Sequence, residues 1–207
     1  MLTSRKPRPL QRDESTLRDA TLIVIATEGA KTELEYFEQF GGSRVKVRVI
    51  PSVDNRSSPP AILSNLVGFQ EEYELAGDDQ LWVVIDRDRW TQEQLSGVAQ
   101  ACHAKGIDLA LSNPCFELWL ALHLDQALPE MDPSVEAHHN ARVLEGFLRE
   151  TLGGYNKANP DISKFAGGVG RAIEAAKALD TAPTDRWPNN IATRVYRLVD
   201  SIQSFMR

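Results

Sequence analysis

The sequence has few cysteines, no long apolar run and no overall excess of positive charge. Its two cysteines, Cys102 and Cys115, lie 13 positions apart. That spacing matches neither a metal site nor a redox pair, so we expect free thiols in a reducing cytoplasm. No apolar run reaches the roughly 18 residues of a membrane span, and the N-terminus lacks the apolar core of a secretory signal. These absences favour a soluble cytoplasmic protein that does not associate with membranes.

The net charge of −6 is distributed unevenly along the 207 residues. Residues 1–20 carry five basic and three acidic side chains, residues 21–141 carry eight and 19, and residues 142–207 carry ten and seven, giving +2, −11 and +3. An acidic middle would repel a polyanion unless some carboxylates hold metal ions, although solvated helix faces account for most of the surplus. We interpret residues 1–20 as a flexible basic arm.

Strand and helix patterns alternate up to Pro114, and only helical patterns follow. The stretches that read as strands are residues 21–27, 45–51, 81–86 and 107–114. This β-α-β-α-β-α-β order predicts an α/β fold with a mostly parallel four-stranded sheet flanked by helices. We therefore predict a core over residues 21–125 and a helical C-terminal extension, residues 126–207, packed on that core.

The stretch "TEGAKTE" after the first strand is similar to a phosphate-binding P-loop but lacks its glycine spacing. In the pattern G-x-x-x-x-G-K-[ST] a glycine precedes the lysine, whereas here Ala30 precedes Lys31 and Ile25 takes the first glycine position. Glu28 would also place negative charge where a phosphate needs positive potential. We exclude a P-loop and treat Glu28 as a candidate ligand instead.

A second pair of carboxylates ends the third strand, in "VVIDRDRW". Asp86 and Asp88 lie at the strand edge where open α/β sheets bind ligands, and residues two apart on an extended chain project the same way. If the two most apolar strands are neighbours, Glu28 joins this pair. Converging carboxylates raise one another's pKa unless a cation neutralises them, and oxygen ligands without His or Cys suit Mg²⁺ or Mn²⁺. A simple salt-bridged turn over residues 86–89 is the alternative.

The glutamate–glycine after strand one and the D-x-D after strand three resemble the Toprim domain, the metal-binding unit of topoisomerases, bacterial primases and overcoming-lysogenization-defect (OLD) nucleases. The wider pattern "EGAKTELEYF", "VVIDRDRW", "LSNPCFELWLALH", "GYNK" and "ATRVYRLVD" resembles RloB-like proteins over about residues 21–205. Proteins of that family are encoded beside restriction-modification and abortive-infection genes, often next to an ATPase of the SMC/ABC type.

The resemblance implies a Toprim-type endonuclease that hydrolyses DNA or RNA, tRNA included, in anti-phage defence. It implies two Mg²⁺ or Mn²⁺ ions about 4 Å apart, with nucleic acid and the ATPase as partners, and leaves a homo-oligomer open. The implied metal ligands are Glu28, Glu33, Asp86, Asp88, Ser112 and Glu117. The implied catalytic residues are Glu28, Asp86, Asp88 and Lys157, the last of which stabilises charge on the phosphate.

Two other functions stay open. The acidic crevice could belong to a catalytically inactive binding or sensor subunit of such a complex. Alternatively, "DRDRW" resembles the nucleophile motif of haloacid-dehalogenase phosphatases, but Trp90 replaces the required Thr or Val, and that motif normally follows the first strand.

Two weaker signals lie in the C-terminal half. His123 reads as a surface or half-buried residue rather than a ligand. Several basic and aromatic residues could form a phosphate-tracking face or simply a solvated helix surface. They are Arg171, Lys177, Arg186, Trp187, Arg194, Tyr196 and Arg197.

Overall fold

The computed structural model describes residues 20–52, 58–87 and 90–207. The predicted arm, residues 1–20, lies almost wholly outside the described residues, and so does Asp88. The predictions made for these parts of the chain are therefore not tested by the fold.

Strands and helices alternate up to β4, and the chain then continues mainly as helices. The strands are β1 Thr21–Thr27, β2 Val45–Pro51, β3 Gln80–Asp86, β4 Asp108–Asn113 and β5 Ala192–Thr193. The helices are α1 Thr32–Glu38, α2 Pro59–Glu72, α3 Gln92–Lys105, α4 Phe116–Ala121, α5 Ala137–Thr151, α6 Val169–Leu179 and α7 Val195–Met206. Two short 3₁₀ turns, Ile162–Lys164 and Ala166–Gly168, precede α6.

The first four strands form a parallel sheet in the order β2-β1-β3-β4. All seven residues of β1 are buried, as expected for a central strand covered on both faces. Because β1 pairs with β3, Thr27 lies in register with Val84, and Asp86 lies in register with Ser112 of β4. The carboxyl ends of three strands therefore meet at one edge of the sheet, as the sequence predicted for β1 and β3.

The prediction of four strands was wrong by one, because β5 joins the sheet antiparallel to β4. Its two residues, Ala192 and Thr193, lie in a segment predicted to be helical, and α7 begins only at Val195. A two-residue strand shows no alternation, so its pairing is visible only in three dimensions. The Thr193 hydroxyl lies 2.8 Å from the Ser112 hydroxyl, which fixes β5 against the carboxyl end of β4.

Two apolar layers cover the two faces of the sheet. One layer includes Ile23 and Ile25 of β1 and packs against α1 and α4–α7. The other includes Leu22 and Val24 and packs against α2 and α3. The alternation along β1 follows from the two-residue period of a strand, and it explains why this strand is apolar at every position.

The helices after β4 belong to the same apolar layer as the sheet. Phe116 of α4, Leu144 of α5 and Ile173 of α6 are buried in one cluster with β1 residues. Helices α4–α7 thus pack on one face of the sheet. The predicted division into a core that ends at residue 125 and a helical extension stays a prediction. None of the described helices is long and apolar enough to span a membrane.

Candidate functional site

Glu28 is the first residue beyond β1, and its side chain turns toward the end of β3. Its backbone N–H donates to the Val84 carbonyl (3.1 Å), which continues the β1–β3 pairing by one residue. Its Oε2 accepts hydrogen bonds from the Asp86 backbone N–H (3.2 Å) and from the Trp90 indole N–H (3.0 Å). The Glu28 carboxylate therefore lies against the Asp86 backbone at the carboxyl end of β3.

Trp90 is a contact within the candidate site that the sequence did not reveal. Its position was weighed only against the dehalogenase motif, where it replaces Thr or Val. In the fold its indole holds the Glu28 carboxylate in place. A strand-end motif shows which carboxylates converge, but a donor from a following loop is visible only in the folded chain.

Asp86 ends β3 and is 8% exposed. Burial raises the pKa of this carboxyl well above its usual range, and the negative charges of Glu28, Glu33 and Glu117 raise it further, while Lys157 opposes the shift. Like charges in a low-dielectric site favour the protonated form unless a cation compensates them. The charges of Glu28, Glu33, Glu117 and Lys157 therefore all act on the Asp86 carboxyl.

Glu33 lies in the first turn of α1 and is buried against the loop that follows β1. The Gly29 backbone N–H donates to Glu33 Oε1 (3.1 Å), whereas Oε2 is buried without a hydrogen-bond partner. Burial, aided by the charge of Glu117, raises the pKa of Glu33 to about 7. Glu33 is one of the metal ligands that the resemblance implies. The start of α1 brings it into one group with Glu28, Asp86 and Glu117, here called the acid cluster.

Gly29 leaves room for the Glu33 carboxylate where it crosses the loop backbone. A Cβ at this position would collide with the carboxylate of Glu33. The glycine of "EG" therefore has a steric role, which is to allow close approach of a carboxylate to the backbone.

Glu117 comes from the first turn of α4 and is fully buried. Its Oε1 accepts from the Tyr155 hydroxyl (3.1 Å) and lies 3.0 Å from Lys157 Nζ. Its Oε2 is buried without a hydrogen-bond partner. Tyr155 is a second contact that the sequence did not reveal, although it belongs to the "GYNK" stretch that pointed to Lys157.

Lys157 is the cation of the cluster and lies on the loop after α5. Burial acts to lower the pKa of its ammonium, but the charges of Glu117 and Asp86 outweigh burial and raise the pKa overall. Its backbone carbonyl accepts from the Thr32 hydroxyl at the start of α1 (2.7 Å). Since 46% of its side chain is exposed, the ammonium lies between the buried carboxylates and solvent.

Ser112 lies at the same sheet edge, in register with Asp86. It is fully buried, and its hydroxyl is hydrogen-bonded to that of Thr193. This hydroxyl therefore already has a partner from β5. The predicted role of Ser112 as a ligand of a second metal ion stays a prediction.

The described residues do not form a ready-made chelate. Within residues 20–52, 58–87 and 90–207, no group of three or more His, Cys, Asp and Glu side chains is arranged to hold a metal ion. The donor chemistry nevertheless fits a hard divalent cation, since two buried carboxylate oxygens, on Glu33 and Glu117, lack any donor. Such oxygens favour protonation or a cation, and Asp88, the other predicted ligand, lies outside the described residues.

Neither cysteine is a suitable nucleophile. Cys102 and Cys115 are free and buried, as the sequence predicted for the thiols. Burial raises the pKa of both thiols, to about 12 for Cys102. Cys115 lies next to Pro114 at the candidate site, but its thiol stays protonated near neutral pH and reacts poorly.

His123 is buried, so the expectation of a surface or half-buried residue was wrong. It is 3% exposed, and its ring nitrogens lie 3.0 Å from the Tyr36 hydroxyl and 2.8 Å from the Trp119 carbonyl. Burial lowers the pKa of His123 to about 4, so it is a neutral core residue rather than part of the candidate site.

The possible phosphate-tracking face of the C-terminal helices is largely engaged within the chain. Arg194 and Arg197 bind the buried Asp180 (3.0 and 3.2 Å). Lys177 lies 3.2 Å from Asp200, and Arg171 donates to the His123 carbonyl (2.6 Å). These contacts favour the alternative interpretation, a solvated helix surface with structural ion pairs.

A comparison with protein-family models matches residues 23–202 to the model described as "RloB-like protein". The chain belongs to the RloB-like family. The matched range contains every candidate site residue from Glu28 to Lys157 in this RloB-like chain. Searches of curated proteins and of solved structures found no match.

Proposed function

We propose that this RloB-like chain is a Toprim-type Mg²⁺/Mn²⁺-dependent nuclease that hydrolyses phosphodiester bonds of DNA or RNA. The observation that carries the proposal is the convergence on Asp86 of Glu28, Glu33 and Glu117, with two carboxylate oxygens buried without donors. Carboxyl groups whose pKa is strongly perturbed by burial and by neighbouring charges are typical of functional sites. A role in anti-phage defence beside an ATPase follows from the family resemblance and belongs to the same proposal.

The residues of the site suit the chemistry of phosphodiester hydrolysis. Glu28 is fixed by Trp90, and Asp86 is fixed as the last residue of β3. Bound divalent ions would supply an attacking hydroxide and offset charge on the phosphate. Lys157 is half exposed and positively charged, and in this proposal it would bind the phosphate oxygen that gains charge.

Cleavage assays test the proposal directly. The full chain is incubated with labelled DNA and tRNA, with and without Mn²⁺, and with an SMC/ABC-type ATPase where one is encoded beside it. We expect Mn²⁺-dependent cutting that falls by at least about 100-fold in the Asp86→Ala, Asp88→Ala double variant. The surface variants Glu38→Gln and Asp200→Asn serve as controls and should cut like the parent. Full-rate cutting by the double variant would refute the proposal.

A second candidate function is a catalytically inactive binding or sensor subunit. It is favoured by the ion pair between Lys157 and Glu117 (3.0 Å), since an ammonium can neutralise the cluster without a metal. Calorimetric titration with Mn²⁺ separates the two functions. The nuclease should take up Mn²⁺ stoichiometrically and lose this uptake in Asp86→Ala, whereas a decayed site should show no uptake in either protein.

A further inference from the structure

A small cleft with apolar and polar walls opens beside the candidate site, between the end of α5 and the loop that leads to α6. Its volume is about 320 Å³, and Arg149, Tyr155, Asn156, Asn159 and Lys164 contribute to its walls. This volume is at the lower end for small-molecule sites. It suits one nucleobase, whereas the stacked and paired bases of a duplex cannot enter it.

Tyr155 connects this cleft to the acid cluster. Its half-buried side chain lines the cleft, and its hydroxyl donates to Glu117 Oε1 (3.1 Å). Lys157, two residues further on, lies 3.0 Å from the same carboxylate oxygen. A strand with one phosphate at Lys157 would therefore have a neighbouring nucleotide at the cleft.

The cleft also has cations that are not neutralised by acids. The Arg149 guanidinium is exposed and has no acidic partner among the described residues. The Lys164 ammonium donates to the Leu152 carbonyl (3.0 Å) rather than to a carboxylate. Asp161 is the one described carboxylate in the wall, and it accepts from the Ser163 hydroxyl. Lys177 of α6 and Arg197 of α7, in contrast, are held by Asp200 and Asp180.

We propose that this cleft binds one unstacked nucleotide of a single-stranded nucleic acid next to the phosphate that is cut, an inference that rests on the proposed function. Arg149 and Lys164 bind backbone phosphates. The base stacks on Tyr155, as bases do on aromatic side chains in single-strand sites. The amides of Asn156 and Asn159 hydrogen-bond the base edge, with Asn156 using its NH₂ group because its Oδ1 accepts from the Ala158 N–H (3.0 Å).

The test measures binding in EDTA, so that no strand is cut. Fluorescein-labelled 12-nucleotide DNA, RNA and duplex DNA are titrated with the full chain. Both single strands should bind more tightly than the duplex, and the ratio of the DNA and RNA affinities reports any contact with the sugar. Arg149→Ala, Lys164→Ala should lower single-strand affinity about tenfold and reduce the salt dependence of log K by about 1.4, the value for two lost phosphate contacts.

Two variants of Tyr155 separate its ring from its hydroxyl. Tyr155→Ala should lower single-strand affinity about tenfold through lost stacking, whereas Tyr155→Phe should lose less affinity than Tyr155→Ala because the ring remains. As a charge control, Arg44→Ala, Lys105→Ala removes two exposed cations that lie just before β2 and β4, at the edge of the sheet opposite the candidate site. This control should keep the affinity of the parent protein.

The outcomes distinguish failure of the cleft proposal from failure of the nuclease proposal. The cleft is overturned if the parent binds no single strand, if the Arg149, Lys164 variant binds like the parent, or if the charge control loses as much affinity. Binding that depends on Arg149, Lys164 and the Tyr155 ring supports the cleft proposal, whether or not the protein cuts nucleic acid. If such binding is found without Mn²⁺-dependent cutting, only the nuclease proposal is refuted. If cutting requires Asp86 but binding is unaffected by the cleft variants, only the cleft proposal is refuted.

Discussion

Glu33 is a carboxyl group that the fold buries with only part of its hydrogen-bonding capacity used. It is 3% exposed, its Oε2 has no donor, and its pKa is raised to about 7. The native state therefore binds a proton at Glu33 that the unfolded chain releases above about pH 4.5. Stability from this group is fully present below that pH and is lost as the pH rises through about 7.

This linkage predicts a pH-dependent stability in the absence of metal. In EDTA the parent should lose on the order of 3 kcal/mol of unfolding free energy between about pH 4.5 and pH 7, with Asp86 adding in the same direction. Glu33→Gln should flatten this profile, because it removes the ionisation. Urea denaturation across this range measures the effect.

The matched control for this variant is Glu38→Gln, since Glu38 is exposed on the same helix. It should leave the profile of the parent unchanged. Parallel profiles for Glu33→Gln and the parent would show that the Glu33 carboxyl does not titrate in this range.

The candidate acids could be predicted at the residue scale, whereas their hydrogen-bond donors could not. Glu28 and Asp86 follow apolar strands, and parallel strands bring their carboxyl ends to one edge, so their proximity follows from local patterns. Trp90 and Tyr155 reach these acids from other parts of the chain, and no local pattern encodes a contact across 62 or 38 residues. Their identification required the folded chain.

At the scale of elements, the loop that contains Lys157 is fastened to the start of α1. The Thr32 hydroxyl donates to the Lys157 carbonyl (2.7 Å), across 125 residues of sequence. The loop begins with Gly153 and Gly154, whose φ angles of 65° and 135° suit glycine. Thr32 is therefore a positioning residue for the cation of the site.

Thr32→Val should loosen this loop with little effect on the fold. One neutral hydrogen bond contributes about 1 kcal/mol, so the melting temperature should fall by only about 2–4 °C. Amide hydrogen exchange over residues 153–161 should become faster. Thr181→Val, at an exposed threonine outside the site, is the matched control, and equal exchange in both variants would contradict the positioning role.

The element that the sequence missed also illustrates what local patterns can show. The four longer strands each contain enough residues for an apolar run or an alternation. β5 has two residues, and its strand character comes from pairing with Ser112 and Asn113 of β4. A segment this short is defined by its partner and not by its own composition.

At the scale of the whole molecule, a buried ion pair ties the C-terminal segment to the sheet. Arg194 is 2% exposed, and its guanidinium binds both carboxylate oxygens of Asp180 (3.0 and 3.2 Å). Its backbone N–H donates to the Leu111 carbonyl of β4 (3.0 Å). Arg194 therefore connects three elements. It binds Asp180 after α6, it donates to β4, and it directly precedes α7.

The Asp180 carboxylate also binds Arg197 and the Tyr196 hydroxyl (3.2 and 3.1 Å). Its removal would leave Arg194 as a buried charge without a counter-ion, which typically costs about 3–5 kcal/mol. We therefore expect Asp180→Ala to destabilise the protein by about that amount, measured by urea denaturation. Asp200→Ala is the matched control, because Asp200 is 44% exposed in its pair with Lys177, and such surface pairs contribute about 0–1 kcal/mol. If the two variants lost similar stability, the Asp180–Arg194 pair would not be what holds α6, α7 and β4 together.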